Sequence, residues 1–251
     1  GLGNLTSLKQ LTLSNFNAVE AFQEGLGNLT SLETLHLSGF NGVEAFPEGL
    51  GNLTSLKQLT LSNFNGVEAF PERLGNLTSL QLLHVSYCRN LKHLFPLQAP
   101  KSLSVLVMGP FCSELEEFPG LDCIHHLHAS LKYLELTGWE KVKFLPDQLQ
   151  HFTALESLIL EEFNGVEVLP NWLGNLTSLR HLRIRNCRNL TSMPSLEAMQ
   201  RLSDLQSLFI SECPKLKERC ARDRGAEWSK ISHIPQIGID GRFEVWKSRY
   251  V

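Results

Sequence analysis

The sequence predicts an α/β solenoid, in which short parallel strands line one side of a coiled chain and irregular or short helical segments line the other. Two observations predict this fold. The text GLGNLTSL, or a variant changed at its first residue, begins at residues 1, 25, 49, 73 and 172. The pattern L-x-x-L-x-L, with Val, Ile or Met at some positions, begins nine times at intervals of 23 to 28 residues. A regular period of this length is typical of units that bury a core only by stacking on one another.

Each L-x-x-L-x-L pattern predicts one strand of a parallel sheet. The alternation L-x-L places two apolar side chains on one face of the strand and the intervening residues on the other. Strands stacked about 4.8 Å apart complete each other's hydrogen bonds and join their leucines into one core. The patterns begin at Leu8, Leu32, Leu56, Leu80, Leu103, Leu131, Leu155, Leu179 and Leu205, and a degenerate tenth contains Ile234, Ile237 and Ile239.

These units are leucine-rich repeats, and they predict a horseshoe with its parallel sheet on the concave face and short helical or irregular segments on the convex side. We expect one domain over residues 1–240, cut within a repeat at its N-terminus, and a tail over residues 241–251.

Three further apolar residues per unit follow each strand. In the third repeat they are Phe64, Val67 and Phe70. Because one bulky residue recurs per repeat at the first of these positions, we interpret the recurring aromatic residues as an internal spine rather than a ligand site. That position holds Phe16, Phe40, Phe64, Cys88, Trp139, Phe163, Cys187 and Cys213, the next includes Val19, and the third includes Phe22 and Leu94. Prolines then begin the convex segment, at Pro47, Pro71, Pro146, Pro170 and Pro194.

Composition and motifs exclude several functions. The 251 residues are 42% hydrophobic and 20% charged, with a net charge of −3. This balance favours a folded protein and gives no reason to expect nucleic acid or membrane partners. The chain contains no phosphate-binding loop, nucleophile elbow or metalloprotease motif, so we expect no enzyme activity, no catalytic residues and no cofactor.

The six cysteines are scattered and form no C-x-x-C motif, which favours free thiols and a reducing compartment. A zinc site near the sequence CIHHLH is an alternative to a plain surface insertion there. The spacing matches no recognised ligand pattern, so we assign no metal site. The residues concerned are Cys112, Cys123, His125, His126 and His128.

Residues that alternate with the buried leucines point out of the concave sheet, where solenoids offer a broad surface to partners. In the first three repeats these residues are mostly Gln, Thr and Ser, and the first and third repeats are nearly identical. A surface that repeats itself carries little information about a partner, so we interpret this stretch as a spacer.

From the fourth repeat onward the outward residues diversify and include Val, Ile, Tyr and Phe beside charged groups, a composition typical of interfaces. An alternative for the charges is that Glu156 and Glu161 pair with Arg180 and Arg185 on the adjacent strand. We predict that a partner binds the concave face at Leu82, His84, Val105, Val107, Tyr133, Glu135, Ile159, Glu161, His181, Arg183, Arg185 and Phe209.

The later repeats resemble a known family. LQLLHVSYCRNLKHLFP, LRHLRIRNCRNLTSMP, LQSLFISECPKLKERC and the following GAEWSKISHIPQIGID are similar to the C-terminal repeats and end cap of plant intracellular immune receptors with a nucleotide-binding module. The resemblance implies a cytoplasmic domain that senses a pathogen effector, directly or through a guarded host protein. It also implies an intramolecular contact with a nucleotide-binding domain outside this chain, which the repeats keep inactive.

Two other functions remain open. An extracellular receptor domain or secreted inhibitor would explain the six N-x-T sequences, although five belong to the repeat text. Against it, the L-x-G-x-I-P text and paired-cysteine caps typical of secreted plant repeats are absent. A substrate-reading half of a ubiquitin-ligase adaptor would require an adaptor-binding motif upstream.

Overall fold

The computed structural model describes residues 2–15, 25–40, 43–70, 72–93, 101–119 and 121–241. The side chains of Glu48, Glu72, Asp122, Cys123 and His125 are also left undescribed. The chain groups into two compact units, residues 1–115 with 119–131 and residues 116–118 with 132–251. A single domain over residues 1–240 stays a prediction. The expectations for Phe16, Val19, Phe22, Pro71, Leu94 and the tail after residue 241 lie outside the described residues.

Every predicted strand is present. The first unit contains β1 (Gln10–Ser14), β2 (Thr34–Ser38), β3 (Gln58–Ser62), β4 (Leu82–Ser86) and β5 (Val105–Met108). The second contains β6 (Tyr133–Thr137), β7 (Ser157–Glu161), β8 (His181–Arg185), β9 (Ser207–Ser211) and β10 (Gln236–Ile239). Within each unit, consecutive strands pair in parallel with equivalent residues opposite each other. This confirms the predicted α/β solenoid.

The alternating leucines form the core, as predicted. From β2 to β9 the two inward residues of every strand are at most 4% exposed. In β1, Leu11 and Leu13 are half-buried because that strand lies at the end of its stack. Full burial of such a side chain contributes about 1.5 to 3 kcal/mol, so the stacked leucines are the main source of stability.

The aromatic residues after the strands form an internal spine, which confirms the structural interpretation. In the first unit the rings of Phe40 and Phe64 stack with centroids 5.1 Å apart. In the second, Phe118 stacks on Trp139 at 5.5 Å and lies 6.2 Å from Phe163. These rings are at most 7% exposed, so they stabilise the core and offer no ligand site.

The return side of each repeat is mostly 3₁₀ helix, in which bonds run from residue i to i+3. Pro47 precedes such a turn as predicted, and its carbonyl accepts from the Leu50 N–H at 3.0 Å. Short α-helices occur among the last repeats: α1 (Leu196–Arg201), α2 (Pro214–Arg219) and α3 (Trp228–Ile231). The 3₁₀ helices are Leu2–Asn4, Glu48–Asn52, Glu72–Asn76, Leu121–Ala129, Asp147–His151 and Asn171–Asn175.

Many strands are followed directly by a residue with left-handed backbone. Asn63 has φ 58° and Asn186 has φ 51°, and Glu162 adopts φ 57° despite its long side chain. The N–H of each donates to the last carbonyl of the following strand, as from Asn63 to Ser86 at 3.1 Å. Asn tolerates this conformation better than most residues. The left-handed residue turns the chain so that the next side chain, such as Phe64, packs in the core. Its N–H adds one hydrogen bond to those that join neighbouring strands.

A buried carboxylate holds the C-terminal end of the second unit together. Glu227 is 3% exposed and accepts from the Met193 N–H at 2.9 Å. It also accepts from Lys230 Nζ at 2.7 Å and Arg219 at 3.2 Å. Because all three donors lie within hydrogen-bond distance, the buried charge of Glu227 is compensated. These hydrogen bonds connect the turn before α1 to α2 and α3.

We predict that Gly165→Ala destabilises the domain by about 1 to 3 kcal/mol. A methyl group at Gly165 would overlap the carbonyl oxygens of Val142 and Glu140 in the preceding repeat, so the backbone must shift. Urea unfolding followed by circular dichroism measures the change. Gly241→Ala is the control, since nothing lies within 4 Å of its added carbon. Equal stability of the two variants would contradict close packing between these turns.

Candidate partner-binding surface

The four predicted partner-binding residues of the first unit lie side by side on β4 and β5. Leu82 lies opposite Val105, and His84 lies opposite Val107. Leu82, His84 and Val107 are half-buried. Val105 is only 4% exposed, so it offers little surface to a partner.

The second unit brings the other eight predicted residues together on four neighbouring strands. Parallel register places Glu135, Ile159, Arg183 and Phe209 in one row across β6 to β9. Tyr133 and His181 belong to the row on one side, and Glu161 and Arg185 to the row on the other. All are half-buried except Ile159, which is 9% exposed. These eight residues are called the mixed surface below.

Arg183 and Phe209 contact each other in the middle row of the mixed surface. The guanidinium carbon lies 5.7 Å from the ring centroid, within cation–π distance. Burial and the neighbouring Arg185 lower the pKa of Arg183. The pair thus combines a large apolar area with a partly desolvated charge, a combination common among residues that dominate protein interfaces.

Tyr133 and Glu135 form a hydrogen-bonded pair on β6. The Tyr133 hydroxyl donates to a Glu135 carboxylate oxygen at 2.7 Å. Burial, with the nearby Glu135 charge and this bond, raises the pKa of Tyr133. Tyr133 is therefore a neutral donor at physiological pH, and Glu135 is held in place on the surface.

The predicted alternative for the charges is confirmed. Arg185 lies 3.2 Å from Glu161, and Arg180 lies 3.8 Å from Glu156, which also contacts Lys132 at 3.2 Å. Such partly exposed pairs contribute about 0.2 to 1 kcal/mol each. Burial raises the pKa of Glu161, and the Arg185 charge opposes that shift. Glu161 and Arg185 therefore stabilise neighbouring strands while they also lie on the mixed surface.

The spacer stretch carries a different charge arrangement. Glu33 contacts Lys9 at 2.9 Å and Lys57 at 2.7 Å, one on each neighbouring repeat. Hydrogen bonds from Lys57 and Lys9 lower the pKa of Glu33 to about 2. These contacts join the first three repeats to one another. They explain the charges of Lys9, Glu33 and Lys57 by contacts within the chain, so no binding partner is needed to explain them.

Sequence reasoning missed two exposed apolar residues of the second unit. Phe144 is 84% exposed and Val168 is 55% exposed, and they occupy equivalent positions in consecutive repeats. A comparison of repeats could have found them, because Ala45 and Ala69 occupy this position in the first unit. Both residues directly precede a buried leucine of the core. They lie outside the strands, where the alternation of inward and outward residues does not apply.

The CIHHLH insertion is ordered around apolar contacts. It lies in the 3₁₀ helix Leu121–Ala129, where Leu121, Ile124 and Leu127 are at most 2% exposed. Among the described side chains, no group of three His, Cys, Asp or Glu is arranged to hold a metal. The side chains of Cys123 and His125, which belong to the alternative zinc site, are not among those described.

Five described cysteines are free and buried, as predicted: Cys88, Cys112, Cys187, Cys213 and Cys220. In the described part of the chain, no helix has the length and apolar character needed to cross a bilayer.

Two family models match the chain. Residues 1–106 match the model described as a leucine-rich repeat region, and residues 140–213 match the one described as R13L1/DRL21 leucine-rich repeats. Both matches agree with the repeats seen in the structure.

Three similar curated proteins are disease resistance proteins of plants. The chain is 36% identical to RPP5 of Arabidopsis thaliana over 85 residues, which are 34% of this chain and 5% of that protein. It is 32% identical to RPP4 of the same plant over 102 residues, 41% of this chain and 8% of that protein. It is 35% identical to the putative protein RGA4 of Solanum bulbocastanum over 56 residues, 22% and 6% respectively. The matched segments therefore span less than a tenth of these relatives.

Solved structures share the fold. The leucine-rich-repeat domain of the type III effector XopL aligns with a TM-score of 0.68 at 21% identity, covering 95% of this chain and 79% of that one. Internalin C2 of Listeria monocytogenes aligns with a TM-score of 0.59 at 17% identity, covering 83% of each chain. At these identities the likeness shows the fold alone.

We predict that Arg180→Ala raises the pKa of His181 toward its ordinary value of 6.5. Burial lowers this pKa, and the charges of Arg180 and Arg183 lower it further. Removing one positive charge makes protonation easier, so the pKa rises while the effect of burial remains. Titration of the imidazole by NMR measures the change. Arg222→Ala is the control because that side chain is 82% exposed in the loop after α2. An unchanged pKa of His181 in R180A would show that the charge of Arg180 does not lower it.

Proposed function

Because this chain is a leucine-rich-repeat domain similar to those of plant disease resistance proteins, we propose that it is the recognition module of an intracellular immune receptor. In this proposal it senses a pathogen effector, directly or through a host protein that the receptor guards. It also restrains a nucleotide-binding domain that lies outside this chain. The domain works in the cytoplasm and acts by binding rather than by catalysis.

The observation that carries the proposal is the contrast between the two kinds of outward surface. The first three strands present nearly the same Gln, Thr and Ser residues, while the mixed surface differs from strand to strand. Tyr, Phe and Arg are enriched at the centres of protein interfaces, and the mixed surface contains Tyr133 on β6, Arg183 on β8 and Phe209 on β9. The similarity to resistance proteins supports the choice of a protein as the partner.

Recognition and restraint can share one physical mechanism. A receptor in equilibrium between closed and open states responds to a ligand that binds the open state more tightly. Moving such an equilibrium from 1% to 99% open requires a difference in affinity of about 10⁴. In our proposal the mixed surface supplies that difference because the partner reaches it only in the open state.

We predict that Arg183→Glu combined with Arg185→Glu alters the response of the receptor that carries this domain, either abolishing recognition or causing activity without a ligand. The substitutions reverse two charges on β8, and repulsion replaces attraction toward any partner that fits the present surface. A cell-death assay in leaves measures the response. The matched control is Thr12→Glu combined with Thr60→Glu, which adds two charges to outward positions of the spacer stretch.

Loss of the Arg185–Glu161 ion pair could also weaken the fold, so thermal unfolding of both double variants is measured in parallel. Equal effects of the two double variants in leaves, at equal stability, would contradict the assignment of recognition to the mixed surface.

A further inference from the structure

The last strand leaves its inward face partly uncovered. Ile237 and Ile239 are the inward residues of β10, and both are half-buried. The equivalent residues of β7 to β9 are at most 1% exposed, because a repeat packs on each side of them. In the part of the chain that the structure describes, β10 pairs with β9 alone. The C-terminal end of the second unit therefore exposes apolar surface that a further layer of chain could cover.

A groove of about 560 Å³ lies at this exposed end. Its apolar lining includes Trp228, Ile234, Ile237 and Ile239, and Lys217 also lines it. Trp228 is half-buried, so the described chain does not cover its ring completely. Cavities of about 300 to 1,000 Å³ hold drug-sized molecules, and two aromatic side chains together are of that size.

The chain leaves β10 beside this groove. Asp240 has left-handed backbone with φ 47°, as do residues that follow earlier strands. Its carboxylate accepts from the Glu212 N–H at 2.9 Å and from Lys217 Nζ at 2.7 Å. The hydrogen bonds from Lys217 and Glu212 lower the pKa of Asp240, so the carboxylate stays charged. Because Lys217 lines the groove, these contacts hold the departing chain close to it.

The position after Asp240 carries no side chain. In the third and seventh repeats the residue that follows the left-handed position is Phe64 or Phe163, and each ring is at most 1% exposed. Here that residue is Gly241, and nothing lies within 4 Å of the carbon that a side chain would add there. The last repeat therefore has no spine side chain of its own, and space is open at that position.

The segment that follows Gly241 is rich in aromatic residues. Residues 242–251 read RFEVWKSRYV, and three of these ten are aromatic, compared with 8% of the whole chain. Segments that stay in solvent are poor in aromatic residues, so this composition indicates a segment that packs against apolar surface. Phe243 and Trp246 follow Ile239 by four and seven residues, which span at most about 14 and 25 Å of extended chain. Both can reach the groove that Ile239 lines.

We propose that residues 242–251 cap the C-terminal end of the second unit, with Phe243 and Trp246 packed in the groove against Ile237 and Ile239. The two rings take the place that a spine residue and a following repeat take elsewhere in the stack. Covering the isoleucines removes apolar surface from water and stabilises the last repeat. This inference does not depend on the function proposed above, since no residue of the mixed surface lines the groove.

The test uses the whole chain with ¹³C-labelled isoleucine δ1 methyl groups, observed by NMR. The chain has eight isoleucines, few enough to assign each methyl signal. In the unmodified chain we expect nuclear Overhauser contacts from the ring protons of Phe243 and Trp246 to the methyl groups of Ile237 and Ile239. The methyl group of Ile159, on the mixed surface, should show no contact with these rings.

We expect Phe243→Ala combined with Trp246→Ala to shift the methyl signals of Ile237 and Ile239. The same variant should lower the melting temperature by about 3 °C or more, because the rings no longer cover these isoleucines. The matched control is Arg242→Ala combined with Lys247→Ala, which shortens two polar side chains of the same segment. The control should leave the melting temperature and the methyl signals unchanged.

Absence of the nuclear Overhauser contacts in the unmodified chain would overturn the inference, and so would equal melting temperatures of the two double variants. Contacts that appear only where light scattering shows a dimer would assign the groove to a second copy of the chain, and would overturn it as well. Because the contacts are measured on the unmodified chain, the test does not depend on the folding of either variant.

Discussion

The structure depends on the parallel stacking of repeats at one fixed spacing, which requires each inward side chain to fit against its equivalents above and below. Two inward residues per strand, one spine residue and the leucines of the return segment meet this condition in repeat after repeat. The same stacking satisfies the backbone groups between consecutive strands. The outward positions carry no such requirement, and so they are free to differ.

The outward residues use that freedom differently along the chain. In the spacer stretch Glu33 contacts two lysines of neighbouring repeats, and the surrounding residues repeat with the leucines. On the mixed surface, ion pairs such as Glu161–Arg185 coexist with the Arg183–Phe209 cation–π contact and the Tyr133–Glu135 hydrogen bond. The outward residues there differ in charge and polarity from one strand to the next. A binding surface can form from that variety without any change to the core.

The sequence predicted what the repeat period controls, namely the strands, the inward leucines and the aromatic spine, and it offered the cross-strand pairs of Glu156 and Glu161 as an alternative to a binding role for these charges. It missed features that depend on single positions. Glu162 adopts a left-handed backbone that its side chain does not favour, because the turn geometry is imposed by the repeats. Glu227 is buried only because Arg219, Lys230 and the Met193 N–H converge on it from separate segments. Gly238 leaves room for the Phe209 ring on the neighbouring strand, which no local pattern reveals.

The most direct test of the account exchanges the outward residues alone. All outward residues of β6 to β9 are replaced by the Gln, Thr and Ser found at equivalent positions of β1 and β3, and every inward residue is kept. The account predicts a cooperative thermal transition close to that of the original domain, and loss of ligand-dependent cell death when the altered domain is placed in its receptor. A folded variant that still responds to the same ligand would contradict the claim that these strands recognise the partner.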